Sequence, residues 1–285
     1  MNDSKFQTWE EAVSWLISQP EQQELVQACY YDKPLKSAAE RYWSGEEWQA
    51  IKEFFPQQCG IALDIGAGNG IASYALSKDG WQVKALEPDS SNLVGVGAIY
   101  QLATENKLPI EVIQEFGEKL PFENQTFDLV FARQVLHHAQ DLQQLCNEIN
   151  RVLKPGGIFI AVREHVISSA SDLPKFLNSH PLHNLYGGEN AYLLKQYLEA
   201  IKSSGLQINK VIAPFESVIN YAPLTEESLK NELNKKINTL PGGKIISSLL
   251  SNPITFKYFL KLLSKIDRRP GRAFSFIAYK PEDKI

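Results

Sequence analysis

The chain has 285 residues, of which 44% are hydrophobic and 22% charged, and its formal net charge is −4. A chain of this length can bury a substantial core. The acidic balance argues against a nucleic-acid partner, because such proteins carry a basic surface. No apolar stretch is long enough to cross a bilayer, and the N-terminus shows no charged-then-apolar leader. We therefore expect a cytoplasmic protein.

The cysteines give no sign of a disulfide framework or a metal site. Cys29, Cys59 and Cys146 are odd in number and widely spaced along the chain. Such a pattern favours reduced cysteines that pack in the interior of a cytoplasmic protein. No bound metal is expected.

Residues 1–57 are predicted to form a helical cap. Thr8 with Glu11, and Ser44 with Glu47, have the spacing of capping boxes. Aromatic residues are dense in this segment, and they include Trp9, Trp15, Trp43, Trp48, Tyr30, Tyr31 and Tyr42. This density favours helices packed on the main domain, and a lid that also lines a substrate cavity is the alternative. Under the second interpretation, Tyr31 and Tyr42 are substrate contacts.

Residues 58–220 alternate strand-like and helix-like patterns, which predicts an α/β, Rossmann-like doubly wound sheet. The predicted strands are 61–65, 82–87, 110–114, 127–132, 157–163 and 207–212, the last with an optional extension to about 220. The predicted helices are 69–79, 90–104, 141–152 and 190–204. Ligands of such sheets bind beyond the carboxyl ends of the strands. The side chains expected to converge there are Asp64, Glu87, Phe116, Arg133 and His165.

A glycine turn follows the first predicted strand. Gly66, Gly68 and Gly70 stand at alternate positions between Asp64 and a helical pattern. Such a turn lets a ligand approach unpaired backbone N–H groups closely. Glu87, at the tip of the second predicted strand, can accept two hydrogen bonds from a ribose diol. These residues predict a pocket for a nucleoside-bearing cofactor.

The spacing of this turn is G-x-G-x-G, unlike the G-x-G-x-x-G of dinucleotide sites. The segments 117–130, 136–138 and 151–157 follow in order and carry GEKLPFENQTFDLV, LHH and RVLKPGG. With the turn, they resemble the motifs of class I methyltransferases that use S-adenosyl-L-methionine (SAM), of the small-molecule type (methyltransferase domain family 11-like). The resemblance covers about residues 60–165.

The resemblance implies SAM as the methyl donor and S-adenosyl-L-homocysteine (SAH) as the product. In the family, the glycine turn contacts the amino-acid end of the donor, Asp64 supports the turn, and Glu87 binds the ribose. Many relatives have Asp in place of Phe116, so adenine recognition is expected to involve packing by Phe116 and backbone N–H groups. The implied cofactor contacts are Asp64, Gly66, Ala67, Gly68, Gly70, Glu87, Pro88, Phe116, Gly117, Glu118 and Arg133.

Candidates for acid–base chemistry follow the fourth and fifth predicted strands. His165 is the candidate general base, because imidazole titrates near neutral pH. His138 is the second candidate, although one histidine of the LHH run can instead order its loop. Arg163 and Glu164 are candidate substrate contacts. The loop 180–188 can cover the same pocket or be a surface connector.

Residues 221–285 are predicted to form a helical insertion and the final, antiparallel strand (273–279) of a seven-stranded sheet. Between residues 244 and 272, seven Lys and Arg residues oppose one Asp, a balance of +6. Lys257, Lys261 and Lys265 share one helix face. A solvated face is one interpretation. The alternative is a site for an anionic partner, such as a phosphorylated substrate, a sugar nucleotide or an anionic membrane surface.

The resemblance predicts a methyltransferase that acts on an O, N or C atom of a small molecule. No Asn/Asp-Pro-Pro-Tyr run follows the fourth strand, which argues against methylation of exocyclic base amines. No Pro-Cys nucleophile is present there, which argues against pyrimidine C5 chemistry. Sugar derivatives, lipid or quinone precursors and secondary metabolites remain as acceptors. The alternative is a non-catalytic SAM-binding or interaction subunit, which would retain the same motifs.

Overall fold

The computed structural model describes residues 5–282, so residues 1–4 and 283–285 of the two predicted outer segments lie outside the described residues. The strands are β1 Ile61–Ile65, β2 Gln82–Leu86, β3 Ile110–Ile113, β4 Phe127–Arg133, β5 Leu153–Ile167, β6 Tyr192–Leu193, β7 Gln207–Ile212 and β8 Arg272–Tyr279. The helices are α1 Trp9–Ser18, α2 Gln23–Ala28, α3 Leu35–Ser44, α4 Glu46–Lys52, α5 Ile71–Lys78, α6 Val96–Asn106, α7 Leu142–Val152, α8 Leu173–Ser179, α9 Leu194–Ser203, α10 Val218–Tyr221, α11 Glu226–Asn238, α12 Gly243–Leu250 and α13 Pro253–Ile266.

The strands form one sheet in the order β3-β2-β1-β4-β5-β8-β7, with β6 beside the end of β5. Strands β1 to β5 are parallel, and β8 runs antiparallel between β5 and β7. The predicted Rossmann-like sheet with a final antiparallel strand is therefore confirmed. The two-residue β6 is an eighth strand, and it is too short to leave a periodic pattern in the sequence.

Alternate residues of the central strands pack on opposite faces of the sheet. Leu63 and Val130 belong to one buried cluster with residues of α7 and α9. Ala62 and Leu129 belong to the other, with residues of α3, α4 and α5. The cap helices thus share a core with the sheet, as the first interpretation of their aromatic residues predicted. The boundaries at 57/58 and 220/221 stay predictions.

Glu47 joins the cap to the sheet through a buried ion pair. Its carboxylate is 3% exposed and accepts a hydrogen bond from Arg133 Nε at 2.9 Å. The predicted Ser44–Glu47 capping box is wrong, because α3 continues through Ser44 and Gly45 precedes α4. The Thr8–Glu11 capping box is confirmed at the start of α1.

Several boundaries differ from the sequence prediction. Strand β5 continues to Ile167, with a bulge between Ala161 and Glu164 where Arg163 has φ +63°. Helix α6 begins only at Val96, because the Ser91 hydroxyl accepts backbone N–H bonds in the preceding loop. Strand β7 ends at residue 212, and α10 occupies 218–221 where an extension was considered. Helix α8 was not predicted.

Helices α11 to α13 form the insertion between β7 and β8 and have a buried cluster of their own. Phe256 and Leu260 belong to this cluster, whereas Leu240 and Ile266 are 57% and 63% exposed. Among the described residues, no helix combines the length and apolarity needed to cross a bilayer.

We expect Glu47→Ala to lower the free energy of unfolding by about 3–5 kcal/mol, because it leaves the Arg133 guanidinium buried without its carboxylate. Urea unfolding followed by circular dichroism measures the change. Glu46→Ala is the matched control, since Glu46 is an exposed residue of the same helix. Its effect should stay within about 0.5 kcal/mol. Equal effects of the two substitutions would contradict a structural role for the ion pair.

Candidate cofactor and acceptor site

The turn between β1 and α5 requires glycine. Gly66, Gly68 and Gly70 have φ values of +61°, +55° and +87°, in the left-handed region that favours glycine. A Cβ at Gly66 would lie 2.7 Å from Val135 Cγ2, whereas a Cβ at Gly68 would meet nothing within 4 Å. The turn is thus packed on one side and open at Gly68, where a ligand can approach the backbone.

Glu87 follows β2 and faces this turn. Its Oε2 accepts a hydrogen bond from the Gly68 N–H at 2.8 Å, and its Oε1 accepts one from the Asp89 N–H at 3.0 Å. Burial raises the pKa of Glu87, and the two N–H donors oppose that rise. A carboxylate held beside an open glycine backbone fits the ribose of an adenosyl group, whose hydroxyls can donate to the same oxygens. The residues present therefore fit the cofactor that the sequence predicts.

Asp64 and Ala67 support the turn from inside. Asp64 is 1% exposed and accepts a hydrogen bond from the Ser73 hydroxyl at 2.6 Å, which ties β1 to α5. Burial raises the pKa of Asp64 to about 7. The Ala67 N–H donates to the Leu86 carbonyl at 3.0 Å. Both residues contribute to the shape of the predicted cofactor site from positions that are themselves buried.

The predicted adenine loop lies beside the ends of β3 and β4. Phe116 is 62% exposed, so its ring is available to pack on a ligand. Gly117 is tightly packed, because a Cβ there would lie 2.8 Å from Leu145 Cδ1. Glu118 Oε1 accepts a hydrogen bond from the Gln140 N–H, which anchors the loop. Pro88 lies after Glu87, and its carbonyl accepts a hydrogen bond from Gln114.

The two predicted arginines converge under the cap. Besides its bond to Glu47, Arg133 stacks over the rings of Tyr30 and Tyr42 at 5.5 and 5.3 Å. Arg163 donates from Nη1 to the Ala222 carbonyl, lies 3.9 Å from Glu47, and has a buried Nε without a hydrogen-bond partner. The Arg133 side chain is thus directed to the cap, and its predicted cofactor contact stays a prediction.

The predicted tyrosine contacts have different environments. Tyr42 is fully buried between Tyr30 and Trp48, with ring centroids 5.3 and 5.4 Å away. The structure thus corrects the prediction for Tyr42, which is a core residue because its whole ring packs against these aromatic neighbours. Tyr31 is half-buried, and Glu189 and Glu87 both contribute to raising its pKa, after the larger effect of burial. Tyr31 therefore lies within electrostatic range of both carboxylates.

All five histidines of the chain meet beside this region, and we call this group the histidine cluster. The His137 ring lies 4.2 Å from the His138 ring and 4.5 Å from the His165 ring. The His180 ring lies 5.3 Å from that of His165, and the His183 N–H donates to His180 Nδ1. These histidines lie in the loops after β4 and α8 and at the end of β5. They are up to 46 positions apart in the sequence.

The protonation states within the cluster differ because their charged neighbours differ. Burial alone lowers the pKa of His137, but the adjacent Glu164 and Glu189 carboxylates outweigh it and raise the pKa to about 9. Burial, reinforced by His137, holds the pKa of His165 well below its ordinary value. His165 is therefore neutral near pH 7, as a general base must be. Burial also lowers the pKa of His138.

Two acidic residues organise the cluster. Glu164 is fully buried and accepts hydrogen bonds from His137 Nδ1 at 2.7 Å and from the His137 and Val135 N–H groups. This corrects its prediction as a substrate contact, because its oxygens are occupied by protein donors. Sequence reasoning missed Glu189, which lies 3.6 Å from His137 Nε2 and directly follows the predicted loop 180–188. The Gly187-Gly188 pair before it was the available signal.

Two cavities flank the glycine turn. One of about 200 Å³ lies between the cap and α6, and Tyr31 and Asn69 contribute to its lining. A more open cleft of about 770 Å³ lies between α1 and the loop after β2, with Asp89 at its edge. Glu87 itself lines neither cavity, so the hydrogen-bond geometry at Gly68, and not cavity size, marks the cofactor site.

A family profile for the methyltransferase domain matches residues 63–161. Over 151 residues the chain is 28% identical to a ubiquinone biosynthesis O-methyltransferase from Rhizobium etli. The aligned region covers 51% of this chain and 59% of that protein. Over 170 residues it is 26% identical to the mitochondrial arginine-hydroxylase NDUFAF5 from Homo sapiens, with coverage of 57% and 39%. The chain thus spans about half the length of these relatives.

A solved structure with a similar fold is the geranyl diphosphate C-methyltransferase from Streptomyces coelicolor, in complex with Mg²⁺, geranyl diphosphate and SAH. The TM-score is 0.59 at 13% identity, over 93% of this chain and 87% of that one. An identity this low supports the fold alone. The domain match and the fold agree with the glycine turn and with Glu87. Residues 63–161 of the chain therefore form a methyltransferase domain, within the Rossmann-like fold described above.

Proposed function

We propose that the protein transfers the methyl group of SAM to a small-molecule acceptor. The hydrogen bond between Glu87 and the Gly68 N–H supports this most directly, because it sets a ribose-binding carboxylate beside the open turn. SAM supplies a methyl group that is already electrophilic. The protein must then mainly align the two reactants, and alignment can contribute roughly 7–11 kcal/mol to lowering the barrier.

The buried arginines support an anionic acceptor. Arg133 and Arg163 face a single carboxylate, that of Glu47, and Arg163 Nε has no hydrogen-bond partner. A carboxylate or phosphate group of a substrate would supply the second negative charge. The acceptor remains a sugar derivative, a lipid or quinone precursor, or a secondary metabolite, methylated on O, N or C. The name of the Rhizobium relative supports O-methylation of a quinone precursor.

His165 and His138 are the proposed proton acceptors. His165 Nδ1 is hydrogen-bonded to the Gly271 carbonyl at 3.0 Å, and its buried Nε2 has no hydrogen-bond partner. His138 is more exposed, and its Nδ1 lies 3.0 Å from the Gly188 carbonyl. Burial lowers the pKa of both side chains, so both imidazoles are neutral near pH 7. A neutral imidazole with an unused nitrogen can accept a proton from an acceptor hydroxyl or amine.

We also propose that α12 and α13 bind an anionic membrane surface from the cytoplasmic side. On α13, the residues Ile254, Tyr258, Leu262 and Ile266 recur every fourth position and are between 56% and 69% exposed. Exposed lysines lie beside them at 257, 261 and 265. Apolar side chains flanked by lysines are typical of interfacial helices.

The three cysteines are free, as expected in a cytoplasmic protein.

The first test is calorimetric titration of SAM and SAH into wild-type protein and Glu87→Ala. We expect micromolar binding that weakens at least tenfold in the variant, because each hydrogen bond to the carboxylate contributes about 1.5–3 kcal/mol. Wild-type protein that binds neither ligand would contradict the proposal. Binding without methyl transfer to any of the acceptor classes would favour the non-catalytic SAM-binding subunit.

A matched glycine pair separates ligand binding from backbone strain in the same titration. Gly68 and Gly242 have φ values of +55° and +74°, and a Cβ at either would meet nothing within 4 Å. Alanine at either position therefore has a similar strain of about 1 kcal/mol. Only Gly68→Ala should also weaken SAM binding, since its methyl group would occupy the open side of the turn.

Asp64 should make stability depend on pH. The pKa of Asp64 in the folded protein is about 7, above its ordinary value of 3.8. The favourable contribution of the protonated carboxyl group to the free energy of unfolding is therefore complete below about pH 4 and is lost as the pH rises through 7. Between pH 5 and pH 8, the free energy of unfolding of Asp64→Asn should therefore rise relative to that of wild type, by about 1–3 kcal/mol. Urea unfolding at the two pH values measures it. A difference that does not change with pH would contradict this.

Vesicle sedimentation tests the membrane proposal. Wild-type protein should pellet with vesicles that contain phosphatidylglycerol at low salt and less at high salt, because salt screens the lysines. The variant Lys257→Glu/Lys261→Glu/Lys265→Glu should stay in the supernatant. The control Lys175→Glu/Lys195→Glu/Lys202→Glu changes the net charge equally at exposed sites elsewhere. Absence of wild-type protein from the low-salt pellet, or equal loss in both variants, would refute the proposal.

A further inference from the structure

Three side chains of the histidine cluster direct possible metal-ligand atoms toward one another. One ligand atom from each of His137, His165 and Glu189 lies within 4.8 Å of the other two. His165 Nε2 and Glu189 Oε2 are buried and have no hydrogen-bond partner in the structure. Such orphaned polar atoms are costly in a protein interior unless something else binds them.

The opposite nitrogen of each imidazole is already held. His137 Nδ1 is hydrogen-bonded to the buried Glu164 carboxylate at 2.7 Å. His165 Nδ1 is hydrogen-bonded to the Gly271 carbonyl at 3.0 Å. Carboxylates and backbone carbonyls in this position orient the imidazoles of metal ligands. A metal ion would displace the Nε2 proton of His137, because histidine ligates as the neutral ring.

We propose that His137, His165 and Glu189 form a site for a divalent transition metal ion. Imidazole suits zinc, iron, nickel and copper, whereas magnesium and calcium prefer all-oxygen ligands. Two imidazoles and one carboxylate are three ligands, which leaves at least one open coordination position, as in catalytic metal sites. The sequence expectation of no metal rested on the cysteines alone and did not consider these residues.

The site can close on a metal with a small movement. Two ligand atoms on one tetrahedral zinc, with bonds of about 2.1 Å, lie about 3.4 Å apart. His137 Nε2 and Glu189 Oε2 are already 3.6 Å apart. Glu189 follows Gly187 and Gly188, whose φ values are +93° and +79° and whose Cβ positions are open. The two glycines therefore allow this loop to move the carboxylate toward a metal ion held by the imidazoles.

The location links the metal to the proposed methyl transfer, and this part of the inference rests on the proposed function. The rings of Tyr31 and Tyr186 both pack on Trp9, at 6.2 and 5.6 Å, and Tyr186 lies three residues before Glu189. The Tyr30 carbonyl accepts a hydrogen bond from Asn69 of the glycine turn at 2.8 Å. These contacts connect the loop that carries Glu189 to the candidate cofactor site, and the open position of the metal would bind an oxygen of the acceptor there. His165 is then a metal ligand, and His138 remains as the candidate base.

Metal content and Co²⁺ absorption test the site directly. Full-length protein without a polyhistidine tag, carrying Cys59→Ser to remove the exposed thiol, is stripped with a chelator, loaded with Zn²⁺ or Co²⁺ and desalted. We expect one equivalent of metal per chain by mass spectrometry, and visible ligand-field bands for Co²⁺. His165→Gln and Glu189→Gln should lose both signals. Glu164→Gln, which removes the acceptor for His137 Nδ1, should weaken binding about 10–100-fold.

His138→Gln is the matched control, because His138 belongs to the same cluster but lies outside the three-ligand group, and it should retain one equivalent. Far-ultraviolet circular dichroism confirms that each variant is folded. A wild-type protein that retains no metal, or a Co²⁺ spectrum that persists in Glu189→Gln, would overturn the proposal. SAM titration of the same preparations separates the two hypotheses: SAM binding without metal binding refutes only the metal site, and metal binding without SAM binding refutes only the proposed function.

Discussion

The packing of the cap on the sheet depends on how the buried charges of this protein are paired. Arg133 at the end of β4 and Arg163 at the bulge of β5 both lie beneath the cap, where only Glu47 supplies a carboxylate to both. A guanidinium removed from water is costly without a partner. The cap must therefore pack with α4 over the ends of these strands. With the core that the cap shares with the sheet, this contact helps to fix where α3 and α4 lie relative to the candidate site.

The same edge of the sheet holds further buried ionisable groups. Asp64, Glu87, Glu164 and His137 are each less than a tenth exposed, and they lie near the carboxyl ends of β1, β2, β5 and β4. Burial of this kind costs stability, and folds tolerate it mainly where function requires it. The carboxyl edge is also where parallel α/β sheets bind ligands. The arrangement is thus consistent with one edge that serves both the cofactor and the acceptor.

The fold and the domain match assign a family more firmly than a reaction. One relative carries the name of an O-methyltransferase and another that of an arginine-hydroxylase. The glycine turn and Glu87 concern the cofactor, which family members share. The residues that could distinguish the reactions are those around Glu189, the two arginines and the exposed face of α13, all of which lie outside or at the edge of the common motifs.

The sequence predicted the glycine turn and the strands beside it well, because their signals are local. Gly66, Gly68 and Gly70 all have positive φ values, as their close spacing indicates. Glu87 follows the neighbouring strand β2 and is hydrogen-bonded to the Gly68 N–H of that turn. The alternation of strand and helix patterns likewise determined the sheet and its antiparallel final strand. Errors at element ends, such as the Ser44 cap and the start of α6, came from competing local hydrogen bonds. The Ser44 hydroxyl donates to the Glu40 carbonyl of its own helix, and the Ser91 hydroxyl accepts N–H bonds two and three residues on.

The acceptor side was decided by tertiary structure. The bulge in β5 placed Glu164 against His137 and left Arg163 under the cap, and nothing in the local sequence distinguishes these neighbours. Glu189 joined the histidines only because the chain after α8 returns to the ends of β4 and β5. Local patterns thus determined the backbone that receives a nucleoside. Long-range packing determined which charges face one another, because burial and pairing depend on the whole fold.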